Sequence, residues 1–344
     1  MTFSHVNQFG ALARACLLSI VFVAAGCASG AAPENAPLEA HAGAIESVYG
    51  EWRDEARDRI VPYQIYLPAT RAPAPVVIFS HGLGGSRQAA SFLMTHLAEN
   101  GFVAVVLQHP GSDAVLLGGE REPGRAIERL RAGMDARAAV ARFGDVRFAI
   151  DQLEAANANG SVAGRFDMSR IGMSGHSYGA LTTLVAVGQR LGAGRPDAFR
   201  DERVDAAIVY SPNAPRNQDP GDALGGIHTP ILHFTGTEDS TPFDLETSPE
   251  RRQIPFRTID GADQYLIVFD GGDHMIFSGR VQAGGAMTAA QQAQTEAIER
   301  ETLTFWRAYL LDDPTALSEL CQLPARIDAI GAAEVKAGRC ATDR

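Results

Sequence analysis

The 344-residue sequence contains no block of lysine or arginine, and its formal net charge is −11. Its arginines are interspersed with aspartate and glutamate. Proteins bind nucleic acids and anionic lipid surfaces through clustered basic side chains that neutralise phosphate groups. The charge pattern therefore excludes nucleic-acid partners, and it excludes attachment to an anionic membrane through a basic surface.

Long hydrophobic runs are scarce as well. The apolar run nearest to transmembrane length covers residues 15–25, which follow Arg14 and lead through small residues to Cys27. This run is too short to cross a bilayer, and it is typical of an export signal. Small residues directly before a cysteine resemble a bacterial lipoprotein signal, in which Cys27 is acylated and begins the mature chain. We predict a signal peptide over residues 1–26 and a lipid anchor at Cys27; ordinary cleavage with secretion and a retained anchor stay open.

Composition divides the rest of the chain. Residues 27–44 are rich in alanine, proline, glycine and serine without hydrophobic periodicity, which predicts a flexible tether because such a segment buries too little apolar area to offset ordering. Residues 45–312 have no internal linker and are expected to form one domain. Residues 313–344 are expected to be a C-terminal tail. The predicted location is the bacterial cell envelope or the medium outside the cell.

Cysteine is limited to four residues. If Cys16 is removed with the signal and Cys27 is lipidated, Cys321 and Cys340 remain. Two cysteines in an oxidising compartment are expected to pair, so we predict a disulfide between them, with two buried free thiols as the alternative. Two cysteines without a nearby histidine do not indicate a metal site.

Apolar runs alternate with helical patterns along the domain. Continuous apolar runs such as residues 76–79 are typical of parallel strands buried on both faces. The alternation predicts an α/β protein with a mostly parallel sheet of the eight-stranded type and helices on both faces. Catalytic residues of such sheets lie directly after strands. Strands are predicted at residues 48–53, 60–67, 76–79, 102–107, 170–173, 206–210, 231–234 and 265–269, and helices around residues 92–97, 127–156, 178–190 and 288–310.

The motif Gly175-His176-Ser177-Tyr178-Gly179 directly follows one of these strands. A Gly-x-Ser-x-Gly sequence between a strand and a helix is typical of the nucleophile elbow of a serine hydrolase. The turn is so tight that the serine adopts strained backbone angles, and the glycines leave room where a Cβ would clash. The motif predicts Ser177 as the nucleophile, and we expect His176 to pack into the fold.

A serine nucleophile needs an imidazole base whose second ring nitrogen is held by a carboxylate. In this fold the chain order is serine, acid, histidine. Asp239 follows the strand at residues 231–234, and His274 lies in a glycine-rich loop after the strand at residues 265–269. We therefore predict a Ser177-Asp239-His274 triad. The alternative carboxylates that stay open are Glu238, Asp244 and Asp270.

The sequence Ser80-His81-Gly82-Leu83-Gly84-Gly85 follows an earlier buried strand. Glycines let such a loop turn its N–H groups toward a pocket, where they stabilise the oxyanion of a tetrahedral intermediate. We predict the N–H groups of Leu83 and Tyr178 as the two donors. The loop lacks the lysine of a phosphate-binding loop and the glycine spacing of a dinucleotide site, and no organic cofactor or metal is expected.

Together these motifs resemble the α/β-hydrolase superfamily, and within it the platelet-activating-factor acetylhydrolase and dienelactone-hydrolase-related esterases. The resemblance covers roughly residues 47–311 and implies the α/β-hydrolase fold and ester hydrolysis. Two departures stand out. Ser177 replaces the cysteine nucleophile of dienelactone hydrolases, and the strand that ends at Tyr210 lacks the carboxylate that the acetylhydrolase carries there. The acid therefore falls to Asp239, one strand later.

The sequence thus predicts an exported serine esterase that cleaves small-molecule or polymeric esters through an acyl-enzyme. An amidase or peptidase would use the same residues, and a catalytically silent envelope lipoprotein on this scaffold also stays open. A dehalogenase is disfavoured because it needs an aspartate in place of Ser177. The glycine- and charge-rich insert at residues 110–125 is too short for a lid domain, so we expect an open cleft that the insert borders.

Overall fold

The computed structural model describes residues 44–192, 198–241, 248–279 and 286–341. Its strands form one nine-stranded sheet in the order β1-β2-β4-β3-β5-β6-β7-β8-β9. Their bounds are β1 (Glu46–Asp54), β2 (Arg59–Leu67), β3 (Ala74–Ser80), β4 (Val103–Leu107), β5 (Phe166–His176), β6 (Val204–Tyr210), β7 (Ile231–Glu238), β8 (Gln264–Asp273) and β9 (Gly331–Lys336).

The middle of the sheet is parallel and its edges are antiparallel. Strands β3 to β8 pair in parallel, whereas β1, β2 and β9 run antiparallel to their neighbours. This is the predicted α/β-hydrolase fold. The chain winds outward from β3 to β4 and then crosses back to β5 on the other side of β3. Ligands of open α/β sheets bind beside such a reversal, at the carboxyl ends of the strands.

Helices cover both faces of the sheet, as the alternating pattern predicted. One buried cluster combines apolar side chains of the sheet with those of α1 and α7, and a second combines the opposite sheet face with α3 and α4. The helices are α1 (Ser91–Glu99), α2 (Pro123–Ala132), α3 (Ala136–Ala158), α4 (Tyr178–Ala186), α5 (Pro220–Leu224), α6 (Ile254–Thr258), α7 (Ala289–Leu310), α8 (Pro314–Cys321) and α9 (Leu323–Ile327).

The single helix predicted at residues 127–156 is in fact two. Helix α2 begins earlier, at Pro123, and stops before Gly133. Asp135 then starts α3, because its side chain accepts a hydrogen bond from the N–H of Ala138 and caps the new helix. The helix predicted at residues 178–190 ends at Ala186, close to Gly188, whose φ of 117° is not helical.

Residues 313–341 pack against the rest of the domain. Strand β9, which the sequence analysis did not predict, pairs antiparallel with β8 and forms one edge of the sheet. The predicted disulfide is confirmed, since Cys321 at the end of α8 is joined to Cys340 after β9. The disulfide therefore ties this edge strand to a helix.

The predicted signal peptide at residues 1–26 and the lipidation site Cys27 lie outside the described residues, as does the tether 27–44 except for its last residue. In the part of the chain that the structure does describe, no helix has the length and apolar character needed to cross a membrane.

Candidate active site

Ser177 occupies a strained turn between β5 and α4. Its φ is 57° and its ψ is −111°, a backbone conformation that residues with a side chain rarely adopt. A Cβ on Gly175 would collide with the carbonyl oxygen of Gly179, and one on Gly179 would collide with that of Ser80. The N–H of Ser177 donates to the carbonyl of Tyr210 at 2.8 Å. The turn therefore has the geometry of a nucleophile elbow, and the two glycines are required for it.

Asp239 and His274 are brought together at the same edge of the sheet. Asp239 follows β7, His274 follows β8, and Nδ1 of His274 lies 2.7 Å from Oδ1 of Asp239. Asp239 is fully buried, whereas the alternative carboxylates Glu238 and Asp270 are exposed. The third alternative, Asp244, lies outside the described residues.

Three further side chains hold Asp239. Its Oδ2 accepts hydrogen bonds from Ser211 Oγ at 2.6 Å and Thr235 Oγ1 at 2.8 Å. Nε of Arg252 lies 2.7 Å from Oδ1 and also donates to the Asp239 carbonyl at 2.8 Å. Burial alone would raise the pKa of Asp239, but the hydrogen bond from His274 and the charge of Arg252 outweigh burial and hold this pKa below its usual value.

Ser211 occupies the position after β6 at which the acetylhydrolase carries its acidic residue. It directly follows β6, at the strand end where the resemblance to the acetylhydrolase would have placed the acid. The hydroxyl there donates to the carboxylate of the next strand. Strand-end position was a sequence signal for Ser211, whereas nothing local in the sequence marks Arg252.

His176 packs beneath His274. The His176 side chain is buried, the two rings lie 4.6 Å apart, and Nε2 of His176 donates to the His274 carbonyl at 2.8 Å. Burial and the neighbouring His274 hold the pKa of His176 well below its usual value. His176 is therefore neutral, and it fixes the backbone that carries His274.

The loop after β3 forms a tight turn at residues 82–85. The N–H of Gly85 donates to the Gly82 carbonyl at 3.0 Å, and Gly84 has a φ of 72°, a conformation that glycine adopts without strain. Within the described residues, the N–H groups of Leu83 and Tyr178 donate no hydrogen bond. Both groups are therefore available to a ligand.

These parts meet at one cavity of about 570 Å³. Ser177 and His274 both line it, although among the described residues they do not hydrogen-bond to each other. The insert at residues 110–125 contributes only Ala114 to the cavity lining within the described residues. The β1–β2 hairpin, which the sequence motifs did not connect with the site, also contributes to the lining. Its cavity-lining residues are Tyr49, Gln64 and Tyr66.

The residues that line the cavity, as far as the structure describes them, are apolar or polar without a formal charge, together with two histidines. None of the lining residues in the described part of the chain is aspartate, glutamate, lysine or arginine. Within the same residues, no group of three or more His, Cys, Asp or Glu side chains is arranged to hold a metal ion.

Comparison with known proteins found one family match. Residues 61–122 match the family model of platelet-activating factor acetylhydrolase, isoform II. The matched segment includes β3, the turn at residues 82–85 and β4, and it ends before Ser177. A search of curated proteins found no match. The family match supports a serine hydrolase of the ester-cleaving kind.

Proposed function

We propose that this chain, which resembles the platelet-activating-factor acetylhydrolase group of α/β-hydrolases, is a carboxylic ester hydrolase with Ser177, His274 and Asp239 as its triad. The observation that carries the proposal is the 2.7 Å contact between His274 and buried Asp239, in one cavity with the strained Ser177. A serine hydrolase requires these three groups at the carboxyl edge of the sheet. Export of the enzyme and lipidation of Cys27 stay predictions from the sequence.

In the proposed reaction, Ser177 Oγ attacks the ester carbonyl while Nε2 of His274 takes the hydroxyl proton. The N–H groups of Leu83 and Tyr178 stabilise the oxyanion that forms. Asp239 accepts the Nδ1–H of His274, which fixes the tautomer and stabilises the imidazolium. His274 then protonates the leaving alcohol, the C–O bond breaks, and an acyl-enzyme remains. Water, deprotonated by His274, attacks this intermediate and releases the acid.

In this proposal, Ser177 Oγ and Nε2 of His274 come into hydrogen-bonding alignment only when the ester binds. Catalytic hydrogen bonds are often long or misdirected before substrate binds, and they tighten in the complex. The carbonyl of the ester supplies the missing element, because it draws Ser177 Oγ toward the oxyanion donors and into line with Nε2 of His274.

The test is hydrolysis of p-nitrophenyl esters of increasing acyl length by the purified chain and its variants. Ser177→Ala and His274→Ala should reduce turnover nearly to background while the proteins remain folded. Asp239→Asn should leave a low residual turnover, about 10⁴-fold below that of the parent, because the wrong histidine tautomer is then favoured. Ser169→Ala is the matched control, since this exposed serine lies on β5, the strand that leads to Ser177.

Turnover that survives in the Ser177→Ala variant would exclude the mechanism. A serine-directed phosphonate should label the parent and the Ser169→Ala variant but not the Ser177→Ala variant. No ester turnover with intact labelling would favour an amidase or peptidase. Absence of both ester turnover and phosphonate labelling would favour a protein with this fold but without catalytic activity.

A further inference from the structure

Arg142, on α3, is a buried charged residue with no carboxylate of the described residues within ion-pair distance. Its side chain is fully buried, and among the described residues it forms no ion pair. Removing a charge from water costs several kcal/mol unless other groups compensate for it. Burial lowers the pKa of Arg142 to about 9, so it stays protonated at neutral pH. Its donors are directed instead at the oxygen atoms around the proposed oxyanion hole.

One end of the guanidinium holds the turn that carries Leu83. Nη2 of Arg142 donates to Ser80 Oγ at 2.9 Å and to the carbonyl of His81, which precede this turn. Nη1 donates to Ser112 Oγ at 2.9 Å. The Ser112 carbonyl in turn accepts the N–H of Gly84 at 2.9 Å. Arg142 therefore contacts the turn at its start and, through Ser112, at its centre.

The other side of the guanidinium holds the start of α4, which carries the second donor. Nε of Arg142 donates to Thr182 Oγ1 at 2.7 Å. The guanidinium carbon also lies 4.7 Å from the centre of the Tyr178 ring, in a cation–π contact. The N–H of Tyr178 is the second proposed oxyanion donor. A single side chain thus joins the two segments that supply the donors.

Ser80, His109 and Asp145 lie behind Arg142 without exposed surface, and their contacts allow one arrangement of protons. Nδ1 of His109 faces a carboxylate and must donate to it, so Nε2 of this neutral ring accepts the hydroxyl proton of Ser80, 2.9 Å away, while Ser80 Oγ accepts from Arg142. Nδ1–H of His109 then donates to Oδ2 of Asp145 at 2.9 Å, and Arg59 holds both oxygens of Asp145 at 2.7 Å. This Ser-His-Asp sequence resembles a triad, but Ser80 and His109 have no exposed surface. Ser80, His109 and Asp145 therefore support Arg142 from behind through the hydrogen bond to Ser80, and they do not form a second nucleophilic site.

We propose that Arg142 is a positioning residue that holds the Leu83 and Tyr178 N–H groups at the separation needed for one oxyanion. This inference rests on the proposed esterase function. Donors that are aligned in advance stabilise the transition state without reorganisation, and loss of one donor costs about 10²–10³-fold in kcat. If Arg142 aligns both, its loss should resemble loss of a donor, although it does not touch the substrate itself.

The experiment compares a p-nitrophenyl ester with its thionoester, in which sulfur replaces the carbonyl oxygen. Sulfur is larger and accepts hydrogen bonds weakly, so an aligned oxyanion hole favours the oxygen ester. Arg142→Met should reduce kcat/KM for the oxygen ester by about 10²-fold, as expected for a lost donor, and reduce it much less for the thionoester. KM for the oxygen ester should change little. Arg142→Lys, which keeps the charge but not the fork of donors, should fall between the parent and the Met variant.

Arg165→Met is the matched control. Arg165 is also buried and donates to backbone carbonyls, those of Pro68 and Thr70, at the opposite end of the sheet. This variant should lose stability. It should keep the parental ratio of kcat/KM for the oxygen ester to kcat/KM for the thionoester. If Arg142→Met does not fold, Thr182→Val removes the hydrogen bond from Arg142 to α4, leaves its contact with the Tyr178 ring, and should reduce the ratio in the same direction.

The outcomes separate this inference from the proposed function. Suppose the parent enzyme hydrolyses esters through Ser177, but the Arg142→Lys and Thr182→Val variants keep the parental ratio. That result would overturn only the role of Arg142. A parent without ester turnover would overturn both. A ratio that falls equally in the Arg165→Met variant would show a general effect of lost stability and would also overturn it.

Discussion

At the scale of single residues, the carboxylate of Asp239 shows how the fold keeps a buried charge in place. A carboxylate without water needs a partner for each oxygen. Oδ1 lies against His274 and Arg252, and Oδ2 accepts from Ser211 and Thr235. These contacts limit rotation of the carboxylate, and so they determine where His274 stands.

The hydroxyls of Ser211 and Thr235, which both donate to Oδ2 of Asp239, should stabilise the folded protein cooperatively. Ser211→Ala or Thr235→Val alone leaves one donor in place, and each should reduce the free energy of unfolding by about 1–2 kcal/mol. The double variant should lose about 1 kcal/mol more than the sum of the single losses, because the second loss leaves the oxygen unpaired. Its kcat should also fall below the product of the two single effects.

A double-mutant cycle measured by urea unfolding and by ester turnover checks this expectation. Strict additivity in both measurements would show that the two hydroxyls hold Asp239 independently. The Ser169→Ala variant again serves as the control for a serine that makes no contact with Asp239.

At the scale of elements, the strands of the sheet carry histidines that the fold holds neutral. His81 follows β3, His109 lies just beyond β4, and His233 lies within β7; all three are fully buried. Burial is the main cause that lowers the pKa of each, to about 4 for His109 and His233. At pH values between about 4 and 6.5 the unfolded chain binds protons at His109 and His233 and the folded chain does not.

The free energy of unfolding should therefore rise with pH across this window and be lost on acidification. Each such histidine contributes a slope of about 1.4 kcal/mol per pH unit at the middle of the window. His233→Gln should reduce the slope by about this amount, because glutamine does not titrate and still offers a donor to Gln264, the partner of His233 Nε2 at 2.6 Å. Urea unfolding at several pH values measures the slope, and an unchanged slope would contradict the assignment.

Elements with a strong apolar pattern were predictable from the sequence. Strands β3 and β4 are almost entirely apolar, β6 and β7 each contain a short, mostly apolar run, and the predictions overlap all four. Strand β9 was missed because it is a half-exposed edge strand with the sequence Gly-Ala-Ala-Glu-Val-Lys, in which only valine has a high strand preference. The break between α2 and α3 was missed because the helical periodicity continues across it.

The site divides in the same way. The placement of Ser177, Asp239 and His274 at the carboxyl edge of the sheet was predictable because the Gly-x-Ser-x-Gly motif is local and the other two residues follow strands. Arg142 and Arg252 were not. Arg142 is separated by 62 positions from Ser80, and Arg252 by 41 from the Ser211 carbonyl. Such contacts follow from the tertiary fold and leave no local pattern in the sequence.

At the scale of the whole molecule, two charge properties act on any substrate. The chain carries a formal net charge of −11, and the described lining of the cavity contains no aspartate, glutamate, lysine or arginine. The net charge repels anions over a distance that salt shortens. The described lining acts at contact, because a charged group that enters the cavity loses water and gains no counter-charge from the lining residues that the structure describes. Both properties disfavour an acyl chain that ends in a carboxylate.

We therefore expect the enzyme to prefer neutral esters, and salt dependence will separate the two causes. A p-nitrophenyl ester with a terminal carboxylate should have a kcat/KM at least about 100-fold below that of its neutral methyl-terminated analogue, because an unpaired buried charge costs several kcal/mol. Raising the salt concentration from about 0.1 M to about 1 M shortens the screening length from about 10 Å to about 3 Å. Discrimination that persists at high salt would place its origin in the cavity lining. Discrimination that disappears would assign it to the net charge, and equal rates for both esters at both salt concentrations would contradict an uncharged acyl site.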